Sequence, residues 1–159
     1  MKFLSAPWRW DFIIQIGKQK GCLFCKALQS DQKSSLICYR GKRYFVILNK
    51  YPYSTGHLMI VPNQHISSPH EIAPEESTEM WDLMNKSIRI LKKNLHPDGF
   101  NIGMNIGQSA GAGIKDHFHL HIVPRWTGDA NYMAVIGDTK VLSYKLDEIL
   151  NILKKEFSQ

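Results

Sequence analysis

The sequence predicts an α+β domain built on a mainly antiparallel sheet. Three observations carry that reading. Strand-like runs at 36–40 and 43–49 flank a tight turn, an apolar stripe at helical spacing occupies 80–95, and an alternating run resumes beyond it at 100–106.

The elements follow in chain order. Met1–Ile14 holds Trp8, Arg9, Trp10 and Asp11 inside its apolar stretch, so it lacks the uninterrupted core of a signal peptide. Nothing approaches the roughly 18 consecutive apolar residues of a membrane span, and no membrane partner is expected. Cys22 and Cys25 stand at Cys-x₂-Cys spacing, and Ala27 to Ser35 reads as a polar loop. Leu36–Arg40 and Arg43–Asn49, joined at Gly41-Lys42, read as a hairpin, with Cys38 as a small buried strand residue. Tyr51 to Gly56 contains Pro52 and reads as a connection. His57-Leu58-Met59-Ile60-Val61 reads as a largely buried strand that stops at Pro62.

Pro74-Glu75-Glu76 reads as a first helical turn, because proline presets φ and acids complement the positive helix end. Met80, Met84, Ile88, Leu91 and Leu95 then form one stripe, which His96-Pro97-Asp98-Gly99 terminates. Phe100, Ile102, Met104 and Ile106 alternate with Asn101, Gly103 and Asn105 as a half-buried strand. Gly107 to Gly113 is a flexible glycine-rich loop, and the next strand begins near His117. Tyr144–Phe157 carries Leu146, Ile149, Leu150, Leu153 and Phe157 as a closing amphipathic helix.

A chain of 159 residues fits one domain with its own core. Its composition, 43% hydrophobic and 21% charged, is that of an ordinary globular protein. The formal net charge of +6 favours an anionic partner. The basic residues are scattered rather than bunched, which suits a phosphate-bearing small molecule better than nucleic acid. Cys22, Cys25 and Cys38 make a poor disulfide framework and suit a reducing compartment, so the cytoplasm is expected.

Three of the seven histidines fall within five residues, at 117, 119 and 121. Strand periodicity puts them on one face, with Phe118, Leu120 and Ile122 on the other. Such a row can chelate a metal, or it can attack phosphorus through a neutral imidazole. The loop ahead of it favours the second use. Gly107, Gly111 and Gly113 permit backbone amides to converge on phosphate oxygens.

The segment His117-Phe118-His119-Leu120-His121-Ile122-Val123 resembles the signature of the histidine triad (HIT) superfamily. Asn49 followed by Gly56-His57-Leu58-Met59-Ile60-Val61-Pro62 resembles the family's strand with an upstream histidine. Pro124-Arg125-Trp126, Gly128-Asp129-Ala130-Asn131 and the opening Ala6-Pro7-Trp8-Arg9 are similar to bacterial members, in particular the diadenosine tetraphosphate phosphorylase branch.

The resemblance implies a HIT-like fold: a five-stranded sheet, a long helix and a C-terminal helix, dimeric through sheet and helix surfaces. It implies one domain over 1–159, with an N-terminal segment at 1–35, a core at 36–126 and an extension with its helix at 127–159. His119 would attack the α-phosphorus and His121 would hydrogen-bond the phosphate or leaving oxygen. His117 and His57 would fix ring orientation and tautomer. Asn49 would meet the ribose, while Asn105, Gly113 and Ile114 would belong to the phosphate-contacting loop. A structural zinc ion is implied on Cys22, Cys25, His65 and His117, with His70 in reserve, and no organic cofactor. The expected reaction is cleavage of dinucleoside polyphosphates through a nucleotidyl-histidine, with phosphate or water as acceptor. The alternatives are nucleoside phosphoramidate hydrolysis, a catalytic zinc held by the triad, and a nucleotide-binding signalling module.

Overall fold

The computed structural model describes residues 21–31, 35–129 and 145–159. The readings of Met1–Ile14, of Ala6–Arg9 within it, of Ala130-Asn131 and of Tyr144 lie outside the described residues.

Five strands form one antiparallel sheet: β1 (Ile37–Arg40), β2 (Tyr44–Leu48), β3 (Leu58–Pro62), β4 (Gly99–Met104) and β5 (Leu120–Arg125). Their spatial order is β1-β2-β3-β5-β4. The long helix α2 (Ser77–Leu95) lies between β3 and β4 in sequence, and α3 (Leu146–Phe157) closes the chain. A short helix, α1 (Leu23–Gln29), precedes the sheet. Among the described residues no helix is long and apolar enough to cross a membrane.

β2 and β3 are apolar throughout because both faces of the sheet are covered at its centre. On one face Val46, Leu48, Leu58, Ile60, Leu120 and Ile122 pack against Leu83, Leu91 and Leu153 of the two long helices. On the other, Phe45, Ile47, Met59 and Val61 pack against Phe24 of α1. Cys38 is buried within the first cluster, where desolvation pushes its thiol up to about 12. The sheet is thus a wall with a helical layer behind it and α1 in front.

Several local readings change in the structure. The stretch from Ala27 to Ser35 is not all loop, since α1 continues to Gln29. Its last carbonyls are capped from β1, where the Arg40 guanidinium donates to Leu28 O at 2.6 Å and Ser30 O at 3.1 Å. Such a cap is tertiary and leaves no trace in the local sequence. The buried face of α2 is Met80, Leu83, Ser87, Ile90 and Leu91, so the expected stripe is offset and Met84, Ile88 and Leu95 lie at its margin. Pro74–Glu76 forms a 3₁₀ turn leading into the helix. His96 ends it in the left-handed region at φ 49°.

The regular ladder of β5 begins at Leu120 rather than near His117. Pro62 ends β3, and its carbonyl accepts from the His117 ring at 2.9 Å instead of from a ladder amide. The Phe118 N–H goes to Ile66 O at 2.9 Å. β4 is an edge strand that ends at Met104, two residues short of the expected run, with Ile102 41% exposed in the strand and Ile106 46% exposed just beyond it. Gly56 turns the chain into β3 with φ +76°, close against Leu91 and Leu95.

Candidate functional site

The chemistry collects where the start of β5 meets the start of β3. His121 lies in the ladder, opposite Met59 on one side and Gly103 on the other. His57 immediately precedes β3 and is fully buried. Its backbone is pinned by Asn49 N–H to His57 O at 2.9 Å and by His57 N–H to Ser54 O at 3.1 Å.

The hydrogen bonds fix the tautomers in sequence. His57 Nδ1 accepts from the Tyr53 N–H at 3.0 Å, and the Asn49 side-chain amide lies 3.3 Å away. A nitrogen that receives a donor is unprotonated, so in the neutral ring His57 carries its proton on Nε2. That Nε2–H donates to His121 Nδ1 at 2.9 Å. His121 therefore holds its own proton on Nε2, where it is a donor. Tyr53 stacks on the His57 ring with centroids 5.0 Å apart.

His119 is ordered separately. Its Nδ1–H donates to the backbone carbonyl of His117 at 3.1 Å, which leaves Nε2 with the lone pair. His119 is only 5% exposed. Burial lowers its pKa, although the bond to the His117 carbonyl opposes the shift. The ring thus stays neutral near pH 7, with one basic nitrogen. Its centroid is 4.7 Å from that of His121.

Both rings open onto a cavity of about 220 Å³. One side is apolar, made by Leu23, Phe24, Ala27, Leu36, Ile47 and Met59. The other carries Asn49, Asn105, Gly111, Gly113 and Ile114 beside His119 and His121. Gly107 at φ 81°, ψ 165° occupies a conformation open essentially to glycine alone, so the loop after β4 depends on it. An apolar cavity that also presents asparagine side chains and two imidazoles suits a nucleobase and ribose with phosphate at the imidazoles.

Behind His119 the four residues Cys22, Cys25, His65 and His117 converge, their ligand atoms all within 4.8 Å of one another. Cys22 Sγ lies 3.3 Å from His117 Nδ1, and Cys25 Sγ lies 3.4 Å from His65 Nδ1 and 3.7 Å from His117 Nδ1. A tetrahedral zinc ion with ordinary bond lengths needs ligand edges of about 3.3–3.8 Å; these three separations match it, and the donors suit that ion in type. Burial and the neighbouring Cys22 sulfur push the Cys25 thiol up, a like-charge cost that a dication would offset. His117 keeps its Nδ1 toward this cluster while its Nε2–H donates to Pro62 O. Burial lowers the His117 pKa too. His70 is elsewhere, with its Nδ1 2.8 Å from Ser68 Oγ. Among the described residues the triad itself does not gather as a metal site.

The structure therefore brings His119, His121, Asn49, Asn105, Gly113 and Ile114 around one cavity, keeps His57 buried against His121, and separates the metal-type cluster behind His119. Sequence reasoning overlooked Phe24 and Tyr53. Phe24 stands between the two cysteines, with its ring centroid 5.0 Å from His119 and 5.4 Å from His117. The available signal was its place inside the Cys-x₂-Cys spacing, which ties it to whatever the cysteines approach.

Comparison with known proteins agrees with this geometry. The HIT domain family model matches residues 30–128. A Mycobacterium tuberculosis protein named AP-4-A phosphorylase is 39% identical over 136 residues, covering 86% of this chain and 70% of that one. The asymmetrical bis(5'-nucleosyl)-tetraphosphatase of Schizosaccharomyces pombe is 28% identical over 95 residues, covering 60% and 52% of the two chains. A crystal structure of a Zn-bound histidine triad family protein from Mycobacterium smegmatis superposes with a TM-score of 0.70 at 26% identity, covering 87% of this chain and 94% of that one. Three ordered histidines beside a nucleotide-sized cavity and a matching family model lead to one conclusion: the chain belongs to the HIT domain family.

Proposed function

We propose that this protein cleaves dinucleoside polyphosphates, diadenosine tetraphosphate among them, by passing a nucleotidyl group through His119. The observation that carries this reading is the bond from His119 Nδ1–H to the His117 carbonyl, which leaves a neutral, basic Nε2 at the wall of a mainly apolar cavity that also carries Asn49 and Asn105. The relative named AP-4-A phosphorylase supports the choice of substrate class.

In the first step the lone pair of His119 Nε2 attacks the α-phosphorus, and the bond to the bridging oxygen breaks, releasing ATP from diadenosine tetraphosphate. The His121 Nε2–H, aligned through His57, stabilises charge growing on a phosphoryl or leaving oxygen. In the second step an oxygen of inorganic phosphate attacks the nucleotidyl-histidine, expels the imidazole and yields ADP. With water as acceptor the product is AMP. Asn49 serves the ribose, and Asn105 with the Gly113-Ile114 turn serves the phosphates.

Cys22, Cys25, His65 and His117 are proposed to hold zinc, which would tie α1 to the strand carrying the triad. The cation's contribution is structural, consistent with a closed set of four protein ligands. We further propose that residues 1–159 act as one domain in the cytoplasm, and as a homodimer. The exposed Ile102 of the edge strand, Ile106 just after it and Trp81 on α2, 54% exposed, support that assembly.

Incubation with diadenosine tetraphosphate, with and without inorganic phosphate, tests the reaction by its products. ADP plus ATP, formed only when phosphate is present, is the expected result. AMP plus ATP at an unchanged rate assigns water as the acceptor. No cleavage under either condition overturns the substrate class.

A further inference from the structure

We propose that the metal held by Cys22, Cys25, His65 and His117 and the nucleotide held in the cavity bind cooperatively, with Phe24 as the positioning residue that couples them. The inference rests on the reading of the cavity and the cluster given above, and goes beyond it by making the two sites one thermodynamic unit.

The coupling element is α1. Its seven residues are too few to form a stable helix unaided, so its order depends on what it docks against. The C-terminal end is held by Arg40, through the carbonyls of Ala27, Leu28 and Ser30. The N-terminal end is held at the cysteines, where Cys22 Sγ and Cys25 Sγ face His117 and His65. Between them Leu23, Phe24 and Ala27 form the apolar wall of the cavity. One helix thus presents sulfur to the metal cluster and hydrocarbon to the nucleotide.

Phe24 connects the two most directly. It is buried, and its ring touches His117, a proposed metal ligand, and His119, which lines the cavity. It also meets Phe45 of the sheet edge-on, with centroids 6.4 Å apart, which fixes the ring from behind. A second link runs through the backbone, since the His117 carbonyl orders the His119 ring while the His117 side chain faces the cluster. Either occupant orders the same helix and the same two rings. The ordering entropy is met once, and the second occupant binds to a site already set. By linkage the effect is reciprocal.

Zinc affinity of the full chain is measured by competition with a chromogenic chelator, with and without saturating AMP, the chelator being calibrated in the same AMP solution. AMP binding is measured in parallel by calorimetry. AMP is expected to tighten zinc by about fivefold or more, within the usual range of such couplings. Phe24→Leu, with AMP raised until calorimetry shows the variant saturated, is expected to lose most of the enhancement, and its thermal unfolding reports whether it is folded. If wild-type protein binds both ligands and AMP leaves zinc affinity unchanged, the coupling is overturned while the reading of each site stands. Protein that binds AMP but takes up no zinc overturns the coupling together with the metal assignment. Protein that binds zinc but not AMP overturns it together with the nucleotide assignment. Full enhancement in folded Phe24→Leu removes Phe24 from the coupling.

Discussion

His57 contacts no atom proposed to react, yet the geometry makes it decisive for His121. With two donors directed at its Nδ1, its only proton donates to His121 Nδ1, and that bond sets which His121 nitrogen can serve the phosphate. His57→Ala leaves His121 free to adopt the other tautomer. We expect kcat to fall by about 10²- to 10⁴-fold, the usual worth of a positioned proton donor, with KM changed far less. Steady-state kinetics on protein verified as folded checks the split. The triad was legible in the sequence because strand periodicity is two and nothing else places three histidines in five residues. The partner of His119 was not legible. It is a backbone carbonyl, and every residue carries one. Asn49 was read as a ribose ligand, and its amide also lies within reach of His57, a contact that only the fold brings about.

At the scale of elements, the turn at Gly56 delivers His57 to its place. A Cβ there would lie 2.7 Å from Leu95 Cδ1 and 3.0 Å from Leu91 Cδ2, on a backbone at φ +76°. Gly56→Ala is expected to lower stability by about 1–3 kcal/mol, measured by denaturant unfolding, through left-handed strain and crowding together. The turn after His65 depends on charge instead. The Glu71 carboxylate accepts from Ser67 N–H at 3.0 Å, Ser67 Oγ–H at 2.8 Å and Ser68 N–H at 2.9 Å. These bonds, that of the Ser67 hydroxyl foremost, lower its pKa. A depressed carboxyl pKa stabilises the fold above the unfolded value, and that stability is lost as pH falls through the folded value. NMR titration is expected to place the Glu71 midpoint below the ordinary glutamate range, and Ser67→Ala is expected to move it back up. Strands and helices were largely readable, because apolar periodicity is a local property. The offset of the α2 stripe was not, since Leu83 and Ile90 joined the buried face only once two packed layers chose the helix's rotation. The helix at 23–29 leaves little local signal at its end because its cap, Arg40, comes from another element.

For the whole molecule, the sheet separates two functions on its two faces. Leu91, Leu153 and their neighbours build stability behind it, while α1 and the loops after β2 and β4 build the site in front. Fold class and strand number were legible in advance, but strand order was not. β5 inserts between β4 and the distant β3, where Met59 pairs with His121, and that pairing sets His121 beside His57 and against the cavity. On the proposed reading, this arrangement makes His119 a nucleophile toward phosphorus. Mass spectrometry after brief mixing with diadenosine tetraphosphate and an alkaline quench, which preserves phosphoramidates, tests it most directly. An adenylyl adduct is expected on the peptide of His119, absent from His119→Ala, which should also be inactive. Undiminished turnover in His119→Ala, or an adduct on another residue, would contradict it.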